Sequence, residues 1–251
     1  MQESHFRYFI KLAYNGTHYH GWQIQENAPT IQALFNQALK HLIGEEVNVI
    51  GCGRTDTGVH AREFYAHFDL QHSISINLQE LLRKLNAYLP AAIRVYDLFQ
   101  VEPDMHSRFN AISRTYKYYI SKVKDPFDQE FSWFIYGDLQ IDLMNKGAKL
   151  LLEYADFTSF SKTGTQVKTN ICDVREAYWM EKDEKLIFTI TADRFLRNMV
   201  RAIVGTLVDL GKGKISIEDF KNIIMSKDRS RAGVSVPAKG LFLNNIKYPF
   251  N

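Results

Sequence analysis

The chain has 251 residues, 45% of them apolar, enough for a core in one or two domains. No stretch of eighteen or more apolar residues occurs, which argues against an ordinary membrane helix, and the polar start Met1-Gln2-Glu3-Ser4-His5 is not patterned as a signal peptide. A formal net charge of +3 is too weak to argue for nucleic acid by itself, and two widely separated cysteines, Cys52 and Cys172, argue against a structural disulfide and for a reducing cytoplasm.

Elements follow in a regular order. Tyr8, Ile10 and Leu12 alternate as in a strand. Thr30, after Pro29, is placed to cap a helix whose stripe is Ile31, Leu34, Phe35, Ala38, Leu39 and Leu42, with Gly44 ending it. Strands are expected at about 47–52 and 64–70, then a helix carrying Leu78, Leu81, Leu82, Leu85 and Leu89 that stops at Pro90, then a strand at Ile93–Leu98. This is the β-α-β-β-α-β order of the ferredoxin-like arrangement. A second half repeats it, with strands at 115–120, 174–180, 185–192 and 241–246, and helices from Ile141 to Tyr154 and from about 194 to 210. A shorter helix near 216–226 is added. Pro103-Asp104 breaks the pattern, so the halves are expected at 1–104 and 105–251. The composition supports a two-part α+β protein.

The most specific stretch is Gly53-Arg54-Thr55-Asp56-Thr57-Gly58-Val59-His60-Ala61, between two expected strands. Asp-Thr-Gly alone is ordinary turn chemistry. What stands out is a single carboxylate, Asp56, on a loop carried by a sheet, flanked by glycines, with Arg54 beside it. Elsewhere Arg194, Arg197 and Arg201 cluster near Phe195, and Arg114, Lys117, Lys122 and Lys124 interleave with Tyr116, Tyr118 and Tyr119. Basic groups beside aromatic faces suit a phosphate backbone and unstacked bases, although a solvated charged surface accounts for the charge alone equally well. Arg197 and Arg201 are expected one turn apart on one helix face. Tyr116 and Tyr118 share a strand face, and spacing does not choose between them. His18, His20, His60 and His67 lack the cysteine or carboxylate spacing of a metal site.

The nine-residue string resembles the Gly-Arg-Thr-Asp-Ala-Gly-Val-His motif of the TruA family of tRNA pseudouridine synthases, with Thr57 where the family usually has Ala. Further blocks are similar in family order: Gly21-Trp22-Gln23, Arg114-Thr115-Tyr116-Lys117-Tyr118, Asp156-Phe157-Thr158-Ser159-Phe160, Phe195-Leu196-Arg197-Asn198-Met199-Val200-Arg201, and Ala238-Lys239-Gly240-Leu241. The resemblance implies two ferredoxin-like halves joined into one extended, mostly antiparallel sheet flanked by helices, with an active-site cleft between them. It implies cofactor-independent isomerisation of uridine to pseudouridine in the anticodon stem-loop of tRNA by a cytoplasmic homodimer, without metal or membrane. It makes Asp56 the catalytic carboxylate, Tyr116 the aromatic that stacks on the base, and Arg201 the basic partner of Asp56; Arg54 is then expected to fill the space left by a flipped nucleotide or hold a phosphate, and Arg197 to serve a phosphate or a solvated basic face.

Two rivals are weaker. Aspartic proteases also carry Asp-Thr-Gly, but they pair two such carboxylates, and one occurs here. A non-catalytic RNA-binding module would show the aromatic–glycine strand pattern absent here, and it leaves Asp56 without a purpose.

Overall fold

A computed structural model describes residues 6–164 and 168–250. The chain forms two compact units, Met1–Ile112 with Leu243–Asn251, and Ser113–Phe242. The sequence division at 104 is a single cut. The compact units instead part at Ile112, and the closing segment returns to the first. Ile112 N–H donates to the Lys247 carbonyl at 2.7 Å, and Tyr248 donates its hydroxyl to the Ser107 carbonyl. Nine strands and five α-helices occur among the described residues, and no helix among them is long and apolar enough to cross a membrane.

In the first unit β1 (Phe6–Tyr14), α1 (Ile31–Ile43), β2 (Ile50–Gly51), β3 (His60–Leu70), α2 (Leu78–Tyr88) and β4 (Ile93–Val101) follow one another as expected. β1 lies between β4 and β3, antiparallel to both, and β2 pairs with the far side of β3. The alternation in the sequence sets the first face: Tyr8, Ile10 and Leu12 stand opposite Phe68, Ala66 and Phe64, all buried. The other face is covered in part, over Phe9, Tyr65 and His67. Tyr248 packs on Phe9 and Tyr65, with ring centroids 5.8 and 4.9 Å apart, and Phe250 stacks on Tyr248. That cover comes from the chain end, so no local pattern announces it.

Thr30 occupies the N-cap of α1, but its hydroxyl makes no capping bond and is buried without a partner among the described residues. The first amides of α1 are satisfied by backbone instead: Ile31 and Gln32 N–H donate to the Gly21 and Trp22 carbonyls at 3.2 and 2.9 Å. This replaces the cap the sequence suggested and ties α1 to the 16–22 segment.

The second unit repeats the order with β5 (Ser113–Ser121), α3 (Ile141–Leu150), β7 (Val174–Lys182), β8 (Lys185–Ala192) and α4 (Met199–Gly211). It adds β6 (Trp133–Phe134), parallel to β5, and α5 (Ile217–Ser226), opened by a Ser216–Asp219 capping box. β8 lies between β5 and β7, antiparallel to both. β9 (Leu241–Lys247) closes the chain, its first two residues counting with the second unit and the rest with the first.

α4 starts later than the periodicity implied. Asn198 takes a left-handed backbone, φ 67°, which ends helical geometry before Met199. Of the 13 residues of α4, Arg201 and Asp209 are the two not buried. A helix apolar nearly all round belongs in a core, so a basic side chain on it is an exception that calls for a reason.

His67 is fully buried, with Nδ1 2.7 Å from the Ser107 hydroxyl and the His106 ring 4.6 Å away. Burial holds the imidazole neutral and, aided by the positive charge of Arg7 and His106, pushes its pKa down to about 4. At neutral pH the ring is uncharged in both folded and unfolded chains. Below about pH 6.5 the unfolded chain takes a proton that the fold refuses, so stability falls between about pH 6.5 and 4, by roughly 3 kcal/mol for this group. Urea unfolding from pH 7 to 4.5 is expected to lose stability more steeply in wild type than in His67→Gln. Parallel slopes would remove His67 as the cause.

Candidate active site

The Asp56 loop leaves β2 and enters β3, and the 15–22 segment clamps it from one side. Backbone bonds do most of the holding: Trp22 N–H to the Thr55 carbonyl (3.4 Å), Gly58 N–H to the Tyr19 carbonyl (3.2 Å), and Val59 N–H back to the Asp56 carbonyl (3.1 Å). The Thr55 hydroxyl meets the Tyr14 hydroxyl at 2.8 Å, and His60 Nδ1 accepts from Gly16 N–H at 3.1 Å. Two glycines make the fit possible. A Cβ on Gly16 would stand 2.0 Å from the Val59 carbonyl oxygen, and one on Gly21 would stand 2.2 Å from the Thr55 carbonyl oxygen. Gly21 also needs a positive φ of 83°, and Gly58, with φ 77°, closes the Asp56 turn. The result is a rigid loop that presents Asp56 half-buried and Arg54 exposed.

Cys52, just before the loop, is buried, and its N–H donates to the Tyr65 carbonyl at 2.8 Å. His18 and His20 are exposed, and His60 and His67 are spent on the contacts given above. Among the described residues no three His, Cys, Asp or Glu side chains gather as a metal-binding group.

In the second unit the two candidate tyrosines separate. Tyr118 is fully buried and donates its hydroxyl to the Pro237 carbonyl at 2.8 Å; burial pushes its phenol pKa well up, with Arg201 opposing. Tyr116 is half-exposed, its ring edge-on to Phe195 at 5.0 Å and 83°. Of the two, Tyr116 is the more exposed.

Arg201 is fixed in turn. Its Nε donates to the Val236 carbonyl at 2.7 Å, and Val236 N–H donates to the Arg201 carbonyl at 3.3 Å. The loop that supplies Val236 is held by a residue the sequence reading did not single out. Arg229 donates to the Gly233 carbonyl at 3.1 Å and the Ser235 hydroxyl at 2.9 Å, and Asn198 also donates to that hydroxyl. Gly205 of α4 lets the loop close in, since a Cβ there would stand 1.9 Å from the Val234 carbonyl oxygen. Nothing in the run Asp228-Arg229-Ser230-Arg231 tells a loop-building arginine from a solvated one.

Arg197 does not share a helix face with Arg201, which corrects the sequence expectation. The left-handed Asn198 lies between them, and Arg197 sits exposed on the preceding loop, where its carbonyl accepts from Lys162 N–H at 3.0 Å. Asp56 and Arg54 belong to the first unit, and Tyr116, Arg197 and Arg201 to the second.

A carboxylate held half-buried on a backbone-clamped loop is placed for nucleophilic or acid–base chemistry. The chain belongs to the tRNA pseudouridine synthase family, whose model matches residues 11–110 and 148–249. It is 52% identical over 244 residues to tRNA pseudouridine synthase A of Bacteroides fragilis, covering 97% of this chain and 96% of that one. It is 51% identical over 245 residues to the protein of that name from Porphyromonas gingivalis, covering 97% of each chain. With the protein of that name from Clostridium acetobutylicum it shares 41% identity over 241 residues, 95% of this chain and 98% of that one.

The two tyrosines give a direct check on their separation. Tyr118→Phe leaves the Pro237 carbonyl without its donor and is expected to cost about 1–2 kcal/mol of unfolding free energy. Tyr116→Phe keeps the ring contact at a less buried position and is expected to cost less than Tyr118→Phe. Equal losses in urea unfolding would contradict the assignment of Tyr118 to the core.

Proposed function

We propose that this protein isomerises uridine to pseudouridine in the anticodon stem-loop of tRNA, with Asp56 as the catalytic carboxylate. The observation that carries this reading is the Asp56 loop itself: one half-buried carboxylate on a backbone-clamped turn, in a chain of the tRNA pseudouridine synthase family. The reaction breaks the bond between base and ribose, turns the base, and rejoins it through carbon. It is a rearrangement with no net redox change, which a protein carboxylate can serve by attacking the sugar or base or by assisting proton movement.

The other roles follow from chemistry and exposure. Tyr116 stacks on the base, which its half-exposed ring permits. Arg201 supplies a fixed cation, because a carboxylate in a dry site stays ionised most easily beside one. Arg54 and Arg197, both exposed, contact the flipped nucleotide or its phosphates. A cytoplasmic homodimer is the assembly we infer, on family resemblance for the dimer and on two free buried cysteines for the compartment.

The test is single-turnover conversion of unmodified tRNA at saturating enzyme. Asp56→Asn keeps size and removes the reactive oxygen, so conversion is expected to vanish while tRNA affinity stays near wild type, since phosphate contacts supply most of it. Tyr116→Ala is expected to lose about 1–3 kcal/mol of stacking, and Tyr116→Phe to retain it. Conversion by Asp56→Asn near the wild-type rate would overturn the reading.

A further inference from the structure

Between Asp228 and Pro237 the chain makes one short turn, Arg229–Arg231, and no other helix or strand. Its backbone groups therefore find partners outside any ladder. Packing does little at the tip, where Val234 is 79% exposed. One hold comes from α4: Gly233 N–H donates to the Thr206 hydroxyl at 2.9 Å, and that hydroxyl donates to the Ala202 carbonyl at 2.8 Å. The other hold is Arg229. Its half-buried guanidinium reaches the Ala232 carbonyl at 3.4 Å as well as Gly233 and Ser235, so one planar group spans the loop from Ala232 to Ser235.

Arg229 is anchored from behind in its turn. It follows the end of α5, where Lys227 takes a left-handed backbone, φ 52°, and Asp228 N–H donates to the Ser159 hydroxyl at 3.1 Å. Ser159 belongs to the Asp156–Phe160 block, and Lys227 pairs with Asp156 of the same block at 2.9 Å. A line of bonded groups thus runs from that block through Asp228 and Arg229 to Ser235, and on by Val236 to Arg201. The last link carries the consequence. Arg201 donates to Val236 through Nε, so the plane of its guanidinium follows the Val236 carbonyl wherever the loop places it. Without that bond a long side chain has several staggered rotamers open to it.

We propose that Arg229 is a positioning residue for the reaction: by fixing the 232–236 loop it sets the direction of the Arg201 guanidinium. The proposal rests on the role assigned above to Arg201. It also gives the Asp156–Phe160 block a part in the reaction, as the base of the brace.

The experiment is a double-mutant cycle on the single-turnover rate at saturating enzyme, with wild type, Arg229→Ala, Arg201→Ala and the double variant, each measured well below its melting temperature. Arg229→Ala is expected to lower the rate about tenfold or more, with tRNA affinity within a few-fold of wild type, because small misplacements of a reacting group are costly. In the Arg201→Ala background the same change is expected to alter the rate by less than about twofold, since the group it positions is gone. Arg229→Lys keeps the charge without the planar fork and is expected to stay close to Arg229→Ala. Arg231→Ala removes the same charge from an exposed neighbour in the same turn and is expected to keep the wild-type rate. A wild-type rate for Arg229→Ala would overturn the proposal. So would an equal loss in both backgrounds, which marks a general structural role. Full recovery by Arg229→Lys, or a loss in Arg231→Ala equal to that in Arg229→Ala, would make charge the cause and overturn it too. A wild-type rate for Arg201→Ala would remove the role assigned to Arg201 and this inference with it, whereas an impaired Arg201→Ala with an additive Arg229→Ala loss overturns the inference alone.

Discussion

The structure of the first unit depends on two places where backbone touches backbone with no room for a side chain. Gly16 lies against the Val59 carbonyl, and Gly21 against the Thr55 carbonyl. These contacts let the 15–22 segment lie directly on the Asp56 loop, and the same segment lends its Gly21 and Trp22 carbonyls to the first amides of α1. One strip of chain thus fixes a loop on one side and a helix on the other. A loop that would otherwise be mobile becomes a fixed platform, which is what a carboxylate needs if it is to meet its reaction partner in one geometry.

The second unit solves a similar problem with different parts. α4 is buried almost all round, so a charged residue on it must be accommodated. Its guanidinium is anchored to the Val236 carbonyl, and the loop carrying that carbonyl is built by Arg229, Ser235 and Asn198. Gly205 permits the approach. Arg229 acts here on backbone geometry, and its effect on Arg201 passes through Val236. The Asp156-Phe157-Thr158-Ser159-Phe160 block is likewise a brace. Asp156 accepts from the Thr158 N–H and hydroxyl, the two phenylalanines are buried, and Ser159 donates to the Ile223 carbonyl at the end of α5.

Much of this was legible in the sequence because it is local. The stripe from Ile31 to Leu42, the alternation in Phe64–Leu70, and the turn residues around Asp56 each obey short-range rules, and the element order of both halves follows from them. What was not legible depends on partners distant in sequence or on one backbone torsion. Thr30 has the chemistry of a cap, yet the Gly21 and Trp22 carbonyls, nine and eight residues earlier, already occupy the first amides of α1. Asn198 fits a helical period, but its left-handed backbone takes Arg197 off the helix. The expected strand at 47–52 shortens to Ile50–Gly51, because Val49 N–H donates to the Asn36 side chain and its carbonyl accepts from Gln32, both on α1. Tyr116 and Tyr118 are equivalent by spacing, and only burial separates them.

The central claim is that close backbone packing at Gly21 places Asp56. Gly21→Ala adds one methyl group where the nearest oxygen would be 2.2 Å away, and asks a side-chain-bearing residue to hold φ 83°. The single-turnover rate on tRNA at saturating enzyme, taken well below the variant's melting temperature, tests this most directly. The account predicts a fall of about a hundredfold or more, the scale expected of a roughly 1 Å displacement of a catalytic group, with tRNA affinity within a few-fold of wild type. A folded Gly21→Ala protein that converts tRNA at the wild-type rate would contradict it.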